Sequence, residues 1–277
     1  MVQRHSHAND EAPAEEWSAA ACVAGERSEG GVVRRHSHAN DEAPAEERPS
    51  RWPAGWTVEH VAQTGSTNTD LSESADRRPD RSVLVADHQL AGRGRLDRRW
   101  EAPPGENLLA SMLFHRVPGD AGELVRRVSL AAVDAIREVA PSCGAPSLKW
   151  PNDVMLDGVK VAGVLAQRSG DGAVVVGIGV NVGWCPAGGT RLGPSVPRAG
   201  LLDAILVAYD RLPADAEGLL VRYRSELATI GQRVRVEMPA GEVVGVALDV
   251  TKSGRLVVRD DAGTTHRVDV ADVTHLR

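Results

Sequence analysis

Over most of the chain, the pattern of hydrophobic and polar residues predicts a series of strands with few helices. Residues 58–65 (VEHVAQTG) are typical of a short strand that ends in a turn, and Ser66–Ala75 begins with a residue that favours a helix N-terminus. Apolar runs predict buried strands at Ser82–Gln89 and Asn107–Phe114. Leucine and valine at helical spacing predict an amphipathic helix over Glu123–Val139.

The rest of the chain continues this mixture and ends in strands alone. Strands are predicted at residues 148–150, 160–168 and 173–182. A helical stretch follows from Leu201 to Ile230, with an interruption at Pro213. From Gln232 to Arg277, several short strands are broken by Gly241, Gly254 and Gly263, as in a small β-barrel. The pattern therefore predicts a mixed α/β domain followed by a small all-β carboxy-terminal domain.

The first fifty residues differ from the rest in both pattern and charge. The segment RHSHANDEAPAEE occurs at Arg4–Glu16 and again, unchanged, at Arg35–Glu47. No apolar periodicity is present there, which argues against a helix-turn-helix, and the segment carries most of the net charge of -6. We expect residues 1–53 to form a disordered tail. Its histidines would bind a metal only opportunistically; they are His5, His7, His36 and His38.

Composition and charge narrow the class of protein. The 277 residues suffice for one large domain or two ordinary ones, and 42% hydrophobic content allows a core. The net charge of -6 argues against a general nucleic-acid or anionic-membrane binder. No apolar run has the length of a membrane span, and the amino-terminal sequence lacks the apolar centre of a signal peptide. Three widely spaced cysteines fit neither a disulfide framework nor a zinc site. We therefore expect a cytoplasmic protein with free thiols.

Lysine and asparagine are scarce in a chain rich in arginine, alanine, glycine and valine. Three of the 32 basic residues are lysines: Lys149, Lys160 and Lys252. Outside the tail, the asparagines are Asn68, Asn107, Asn152 and Asn181. A GC-rich coding sequence would explain this bias. The lysines and asparagines that remain are then candidates for residues that the chemistry requires.

A glycine- and arginine-rich loop follows the strand that ends at Gln89. The loop contains Gly92, Arg93, Gly94, Arg95, Arg98, Arg99 and Trp100. Arginine side chains can bind carboxylates and phosphates with two hydrogen bonds, glycines let the backbone approach a ligand, and an indole offers a flat face to a ring. A solvated basic loop is the alternative interpretation. The sequence matches neither a Walker phosphate loop nor a dinucleotide-binding fingerprint.

Two of the three lysines belong to a second candidate segment. The sequence KWPND at residues 149–153 precedes Lys160, and Asn181 lies further along the chain. The alternative interpretation is that Asn152 and Asp153 form a turn and that Lys160 is a charge at a strand edge. The scarcity of lysine and asparagine argues against that alternative.

Four segments have the order and spacing of a known enzyme family. They are GSTNTD (65–70), ADHQLAGRGRLDRRW (86–100), KWPNDVMLDGVKVAGVLAQ (149–167) and GIGVNV (177–182). Together they resemble the biotin protein ligases. The resemblance implies a mixed-sheet α/β catalytic domain of the biotin/lipoate ligase type over residues 54–230 and an SH3-like all-β barrel over residues 231–277. It implies a monofunctional type, because the tail stands where repressor-type members carry a DNA-binding domain.

The resemblance also implies roles for individual side chains. Lys160 and Arg95 are the implied catalytic residues, at the biotin carboxylate where the α-phosphate of ATP arrives. The implied biotin-binding residues are Ser66, Thr67, Asn68, Gln89, Gly92, Arg93, Arg95, Lys160 and Gly163. The implied ATP- and adenylate-binding residues are Arg95, Arg98, Trp100, Lys149, Asn152 and Asn181, with Trp100 against adenine. Asp153 either orients Lys160 or accepts a proton from the incoming lysine; both roles stay open.

The implied reaction has two steps and uses biotin, ATP and Mg²⁺. Biotin attacks ATP to give biotinyl-5′-AMP and pyrophosphate, and a lysine of the biotin carboxyl carrier domain of acyl-CoA carboxylases then displaces AMP. Mg²⁺ is expected because the phosphates need charge neutralisation, although its ligands are not identified by the sequence. We expect no nucleic-acid or membrane partner, and a monomer or weak dimer.

The chain departs from the common family pattern at two places besides the tail. Leu96 and Asp97 stand where a glycine usually follows the arginine, and Gln167 stands where an acidic residue is common. Two other functions stay open: a lipoate or octanoyl attachment enzyme of the same fold, and a biotin-dependent transcriptional repressor. The GRGR loop argues against the first, and the acidic tail without a helix-turn-helix argues against the second.

Overall fold

The computed structural model describes residues 52–96, 98–117, 121–170, 172–238, 241–269 and 271–276. All of the predicted tail except its last two residues lies outside these ranges, together with its histidines. Asp97, one of the departures from the family pattern, also lies outside them. The helices and strands begin at Thr57.

A mixed sheet forms the centre of the larger part of the molecule. Its strands are β1 (Thr57–Thr64), β2 (Ser82–Gln89), β3 (Leu108–Phe114), β4 (Pro146–Lys149), β5 (Asp153–Leu156), β6 (Val159–Arg168) and β7 (Val174–Val180). Their order in the 7-stranded sheet is β1-β2-β3-β7-β6-β5-β4. The β1–β2 pair is parallel and the other pairs are antiparallel.

Helices cover the two faces of this sheet unequally. They are α1 (Thr67–Glu73), α2 (Ala121–Val139), α3 (Arg198–Arg211) and α4 (Ala216–Glu226), with a 3-10 turn at Ala75–Arg77. On one face, α2 and α3 pack over a continuous core that includes Leu124, Val176 and Ile178. On the other face, the short helix α1 packs on β2, β3 and β7 through Leu71 and its neighbours. Because α1 is short, part of the second face stays open.

The carboxy-terminal segment forms a second, antiparallel sheet. Its strands are β8 (Arg233–Met238), β9 (Gly241–Val250), β10 (Leu256–Asp260), β11 (Thr265–Val268) and β12 (Asp272–His275). They follow the order β11-β10-β9-β8-β12. Alternate residues such as Val234 and Val236 are buried in the same core as α2 and α3. The Trp150 Nε1 donates to the carbonyl of Gly254 in the β9–β10 turn at 2.8 Å, which joins the two sheets.

The structure confirms the predicted mixed α/β domain with an all-β carboxy-terminal domain and corrects three details. The strand β5 was not predicted, because Asp153–Leu156 is short and lies between turn residues. The interruption predicted at Pro213 is present, since α3 ends at Arg211 and α4 begins at Ala216, but the helical stretch ends at Glu226 rather than at Ile230. Ser66 stands at the start of α1 but its side chain makes no capping hydrogen bond. The proposed boundaries at residues 54–230 and 231–277 stay predictions.

Candidate active site

A cavity of about 460 Å³ lies over the open part of the large sheet. The glycine- and arginine-rich loop and strand β12 form two of its walls. The predicted site residues that line it are Ser66, Thr67, Asn68, Gln89, Arg93, Arg95, Arg98, Trp100, Lys149, Asn152, Lys160, Gly163 and Asn181. Segments more than 100 residues apart in the sequence therefore meet in one cavity.

One end of the cavity is a neutral cluster of hydrogen-bonding groups, which we call the neutral end (Ser66, Thr67, Asn68, Gln89 and Ser111). The backbone N–H and the hydroxyl of Thr67 donate to Gln89 Oε1 at 2.8 and 3.0 Å. The end of β2 thereby holds the first turn of α1. Ser66 precedes that turn with an extended backbone, and its hydroxyl is not used for capping. The cluster offers donors and acceptors without formal charge, as a neutral polar ring requires.

Ser111 is a member of the neutral end that the sequence analysis missed. Its hydroxyl lies 2.6 Å from the Thr67 hydroxyl and donates to Asn68 Oδ1 at 2.6 Å. Asn68 Nδ2 donates to the Leu165 carbonyl at 3.3 Å. The Asn68 amide also lies against Gly177, where a β-carbon would come within 2.3 Å of Oδ1. Ser111 carries the one side-chain hydroxyl of the fully buried strand β3, and a polar group among apolar neighbours indicates a functional or hydrogen-bonding role.

Gly92 shapes the loop and is not among the residues that line the cavity. Its carbonyl accepts from the Trp100 N–H at 3.0 Å, and a β-carbon on Gly92 would lie 2.3 Å from the Trp100 carbonyl oxygen. The Gly94 N–H donates to the Arg98 carbonyl at 2.7 Å. The loop therefore folds back on itself as a narrow hairpin, and only glycine fits where its two sides cross.

The indole of Trp100 lies on glycines at the centre of the cavity. A β-carbon at Gly179 would come within 2.3 Å of the ring, and one at Gly163 within 3.2 Å. The Lys160 Nζ is 5.7 Å from the ring centroid, within range of a cation–π interaction. The indole N–H is buried and, within the residues described, has no acceptor. The ring therefore lies over β6 and β7, within reach of the lysine.

The opposite, charged end of the cavity contains Arg95, Lys160 and Lys149. Lys160 lies on β6, and its Nζ is 2.6 Å from Asp153 Oδ1 on the adjacent strand β5. Arg95 donates to Asn152 Oδ1 at 3.2 Å and to the Ala271 carbonyl at 3.1 Å, both neutral acceptors. Burial lowers the pKa of the Arg95 guanidinium below its usual value. This cation is partly desolvated, so an anion bound beside it would be favoured.

The two asparagines of the charged end also hold the backbone. The Asn152 Nδ2 donates to the Val164 carbonyl at 2.7 Å. The Asn181 Nδ2 donates to the Thr190 carbonyl at 3.0 Å, which fixes the loop that lines this side of the cavity. Both side chains thus position their segments. The Asn152 Oδ1 accepts from Arg95, and the Asn181 Oδ1 accepts from Asn107.

The carboxy-terminal sheet supplies part of this charged end. Asp272 forms an ion pair with Arg98 of the loop. The buried Thr229, which precedes β8, accepts from the Trp150 N–H at 2.9 Å and so fixes the KWPND segment. These contacts leave no local signature in the sequence, because they join residues that are 79 and 174 positions apart.

Comparisons with known protein families agree with this geometry. Residues 61–184 match the family model described as "Biotin/lipoate A/B protein ligase family". Residues 229–276 match the model described as "Biotin protein ligase C terminal domain". The first matched segment contains the large sheet except for the first half of β1, and the second contains the carboxy-terminal sheet.

Individual relatives resemble the chain over most of its length. A biotin–[acetyl-CoA-carboxylase] ligase of Mycobacterium tuberculosis is 39% identical over 252 residues, which cover 81% of this chain and 91% of the relative. An enzyme of the same name from Paracoccus denitrificans is 32% identical over 228 residues, 73% of this chain and 94% of the relative. The solved structure of a biotin protein ligase from Aquifex aeolicus in complex with biotin and ATP has a TM-score of 0.65 at 24% identity. The match covers 80% of this chain and 99% of the chain in that structure, and it shows that the two proteins share a fold.

Proposed function

Because the chain belongs to the biotin protein ligase family, we propose that it activates biotin with ATP and transfers it to a lysine of a carrier protein. One observation carries the assignment of the site: a single cavity has a neutral hydrogen-bonding end and a charged end. The ring system of biotin is a neutral urea fused to a thioether ring, and its side chain ends in a carboxylate. The neutral urea would thus bind at the neutral end of the cavity, and the carboxylate would lie at the charged end.

We propose that the neutral end binds the urea. Thr67 and Gln89 already hold each other through hydrogen bonds, so they are oriented before the ligand arrives. The free Ser66 hydroxyl and the Asn68 amide are further partners for the urea. We propose that Gly163, whose missing side chain lets the Trp100 ring approach it, contacts biotin through its backbone, and that Arg93, exposed on the loop, closes over the ligand.

In the first step, a biotin carboxylate oxygen attacks the α-phosphorus of ATP, and the bond to pyrophosphate breaks. We propose that Lys160 and Arg95 stabilise the negative charge shared by the carboxylate, the α-phosphate and the leaving group. The ion pair with Asp153 supports an orienting role of that carboxylate toward Lys160. Lys149, Asn152, Asn181 and Arg98 would serve the nucleotide, and Trp100 would stack against adenine.

In the second step, an uncharged lysine amine attacks the carbonyl carbon of biotinyl-5′-AMP. A C–N bond forms, the C–O bond to AMP breaks, and the nitrogen releases one proton to solvent. Shielding the adenylate from water favours transfer over hydrolysis, and we propose that the glycine- and arginine-rich loop provides this shielding. The acceptor that we propose is the biotin carboxyl carrier domain of an acyl-CoA carboxylase.

Mg²⁺ would enter with ATP. Within the residues described, no group of three or more His, Cys, Asp or Glu side chains could hold a metal ion. Mg²⁺ does not require such a group, because it commonly stays bound to phosphates and water and takes few protein ligands. The Oδ1 atoms of Asn152 and Asn181 accept hydrogen bonds from Arg95 and Asn107, so each would have to give up that contact to bind the ion. When bound, the ion would neutralise phosphate charge.

The proposal also includes expectations about location, oligomeric state and partners. A reducing, cytoplasmic location is supported by the free thiols of Cys143 and Cys185. In the described part of the chain, no helix is long and apolar enough to cross a membrane. A monomer or weak dimer without a nucleic-acid partner is expected, and sedimentation with and without biotin and ATP would test the oligomeric state.

The experiment that tests the function follows both half-reactions. Biotin- and ATP-dependent release of pyrophosphate should be measured first, followed by transfer of labelled biotin to a carrier domain. Lipoate or octanoate, offered in place of biotin, should release no pyrophosphate. Pyrophosphate release with lipoate but not with biotin would contradict the proposed function. A gel-shift experiment on DNA upstream of biotin genes should show no binding.

A further inference from the structure

The charge of the cavity poses a problem for the second substrate. The basic side chains that line it are Arg93, Arg95, Arg98, Arg99, Lys149 and Lys160. These cations suit a carboxylate and a triphosphate, but they repel the ammonium group of an approaching lysine. A free carboxylate at the cavity wall would offset this repulsion for a lysine that approaches the adenylate as an ammonium ion.

The structure places one unpaired carboxylate at the wall of this cavity. Three acidic residues line it: Asp153, Glu237 and Asp272. Asp153 is paired with Lys160, and Asp272 is paired with Arg98. Glu237 is exposed and, among the described residues, has neither an ion-pair nor a hydrogen-bond partner.

The position of Glu237 fits the entry of a substrate from solution. It lies on β8 directly across from Asp272 on β12, so both carboxylates belong to the wall that the carboxy-terminal sheet contributes. Asp272 is paired with Arg98, and Glu242, across from Glu237 on the other side, is paired with Arg235. Among the described acidic residues that line the cavity, Glu237 is therefore the one left free to face a cation.

We propose that Glu237 is the docking residue for the charged side chain of the acceptor lysine. This inference rests on the proposed function, because it concerns the second substrate of that reaction. An exposed carboxylate contributes little binding energy, yet it raises the rate of productive encounter and makes that rate depend on salt. Glu237 takes no part in the bond-forming step, which belongs to the charged end of the cavity.

The test compares Glu237→Gln with a matched control on the same sheet. Glu242 lies directly across from Glu237 on β9, is paired with Arg235, and is not among the residues that line the cavity. Transfer from preformed biotinyl-5′-AMP to a carrier domain should be measured for Glu237→Gln, Glu237→Lys and Glu242→Gln. We expect kcat/KM for the carrier to fall about fourfold in Glu237→Gln and about tenfold or more in Glu237→Lys, with Glu242→Gln close to wild type. High salt should shrink these differences.

Two further measurements separate docking from other roles. Hydroxylamine, an uncharged nucleophile at neutral pH, should intercept the adenylate with a much smaller loss in Glu237→Gln than the lysine acceptor shows. An equal loss with both nucleophiles, or an equal loss in biotin-dependent pyrophosphate exchange, would overturn the proposal by assigning Glu237 to the nucleotide, to Mg²⁺ or to folding. An unchanged kcat/KM for the carrier would overturn it too. Absence of pyrophosphate exchange in the wild type would instead contradict the proposed function.

Discussion

The two ends of the cavity are built in different ways. At the neutral end, Thr67, Gln89 and Ser111 hold one another through short contacts among α1, β2 and β3. At the charged end, Lys160 is held by the neighbouring strand β5, but Arg95 depends on the carbonyl of a residue that is 176 positions away in the sequence. One end is thus fixed by neighbouring elements of one sheet, and the other end requires the carboxy-terminal sheet.

This difference suggests a division of labour, in which the neutral end binds biotin and the charged end supports the chemical step. Groups that bind the substrate equally in the ground state and the transition state change KM, whereas groups that act only in the transition state change kcat. The rigid neutral end is suited to recognising biotin. The charged end, whose cations contact carboxylates or neutral acceptors, is suited to stabilising charge that develops during adenylate formation. Substitutions at the two ends should therefore change different kinetic constants.

Lys160→Arg should give the largest effect. Arginine keeps the charge, but its planar fork cannot occupy the point where the compact ammonium lies 2.6 Å from Asp153. We expect the adenylation rate to fall about 10²-fold or more, the scale of one preorganised electrostatic contact. Rates of pyrophosphate release at saturating biotin measure this change.

The control for this substitution is Lys252→Arg, because Lys252 is exposed in a turn of the carboxy-terminal sheet. It should be nearly silent, with circular dichroism confirming that both variants fold. If Lys160→Arg keeps more than about a third of the wild-type kcat, a change below roughly 1 kcal/mol, Lys160 is not the catalytic lysine. Lys149 would then be the next candidate at the charged end.

Trp100→Ala tests the aromatic ring that lines the cavity beside Lys160. Base–aromatic stacking contributes roughly 1–3 kcal/mol, so loss of the ring should weaken binding of a biotinyl-adenylate analogue about thirtyfold. Binding of biotin alone should weaken far less. Calorimetry with biotin and with a non-hydrolysable analogue measures both, and equal losses for the two ligands would contradict the adenine assignment.

Ser111→Ala should raise the KM for biotin about tenfold with little change in kcat. The substitution removes the hydroxyl that donates to Asn68 at 2.6 Å, and loss of a buried hydrogen bond costs about 1–3 kcal/mol. Ser225→Ala is the matched control, because the exposed Ser225 hydroxyl on α4 donates locally to the Arg222 carbonyl and Ser225 does not line the cavity. A fall in kcat without a change in KM would contradict a binding role of the neutral end.

Removal of residues 1–50 should have the smallest effect. All residues that line the cavity lie beyond Trp56, so both of its ends would persist in the shortened chain. We expect kcat/KM to stay close to that of the full chain. A loss beyond about tenfold, or roughly 1.4 kcal/mol, would show that the removed segment contributes to the site.

The same contrast explains what the sequence could predict. Thr67 and Gln89 lie in recognisable segments at the ends of predicted elements, so their roles could be proposed from local pattern and resemblance. Ser111 was missed although a lone hydroxyl in the apolar run of β3 signals a polar function. Glu237 and Asp272 could not be found, because alternating charges in a short strand normally face solvent and the contact with Arg98 spans two sheets. Long-range pairing of this kind leaves no local signature.

The measurement that tests the division of labour most directly is a double-mutant comparison. Pyrophosphate-exchange kinetics should be recorded for Ser111→Ala, Lys160→Arg and the double variant, with kcat and the KM for biotin determined for each. The account predicts a raised KM in the first, a lowered kcat in the second, and in the double variant the product of both effects, as for independent sites. A KM for biotin raised by Lys160→Arg as much as by Ser111→Ala, or strongly non-multiplicative losses, would contradict it.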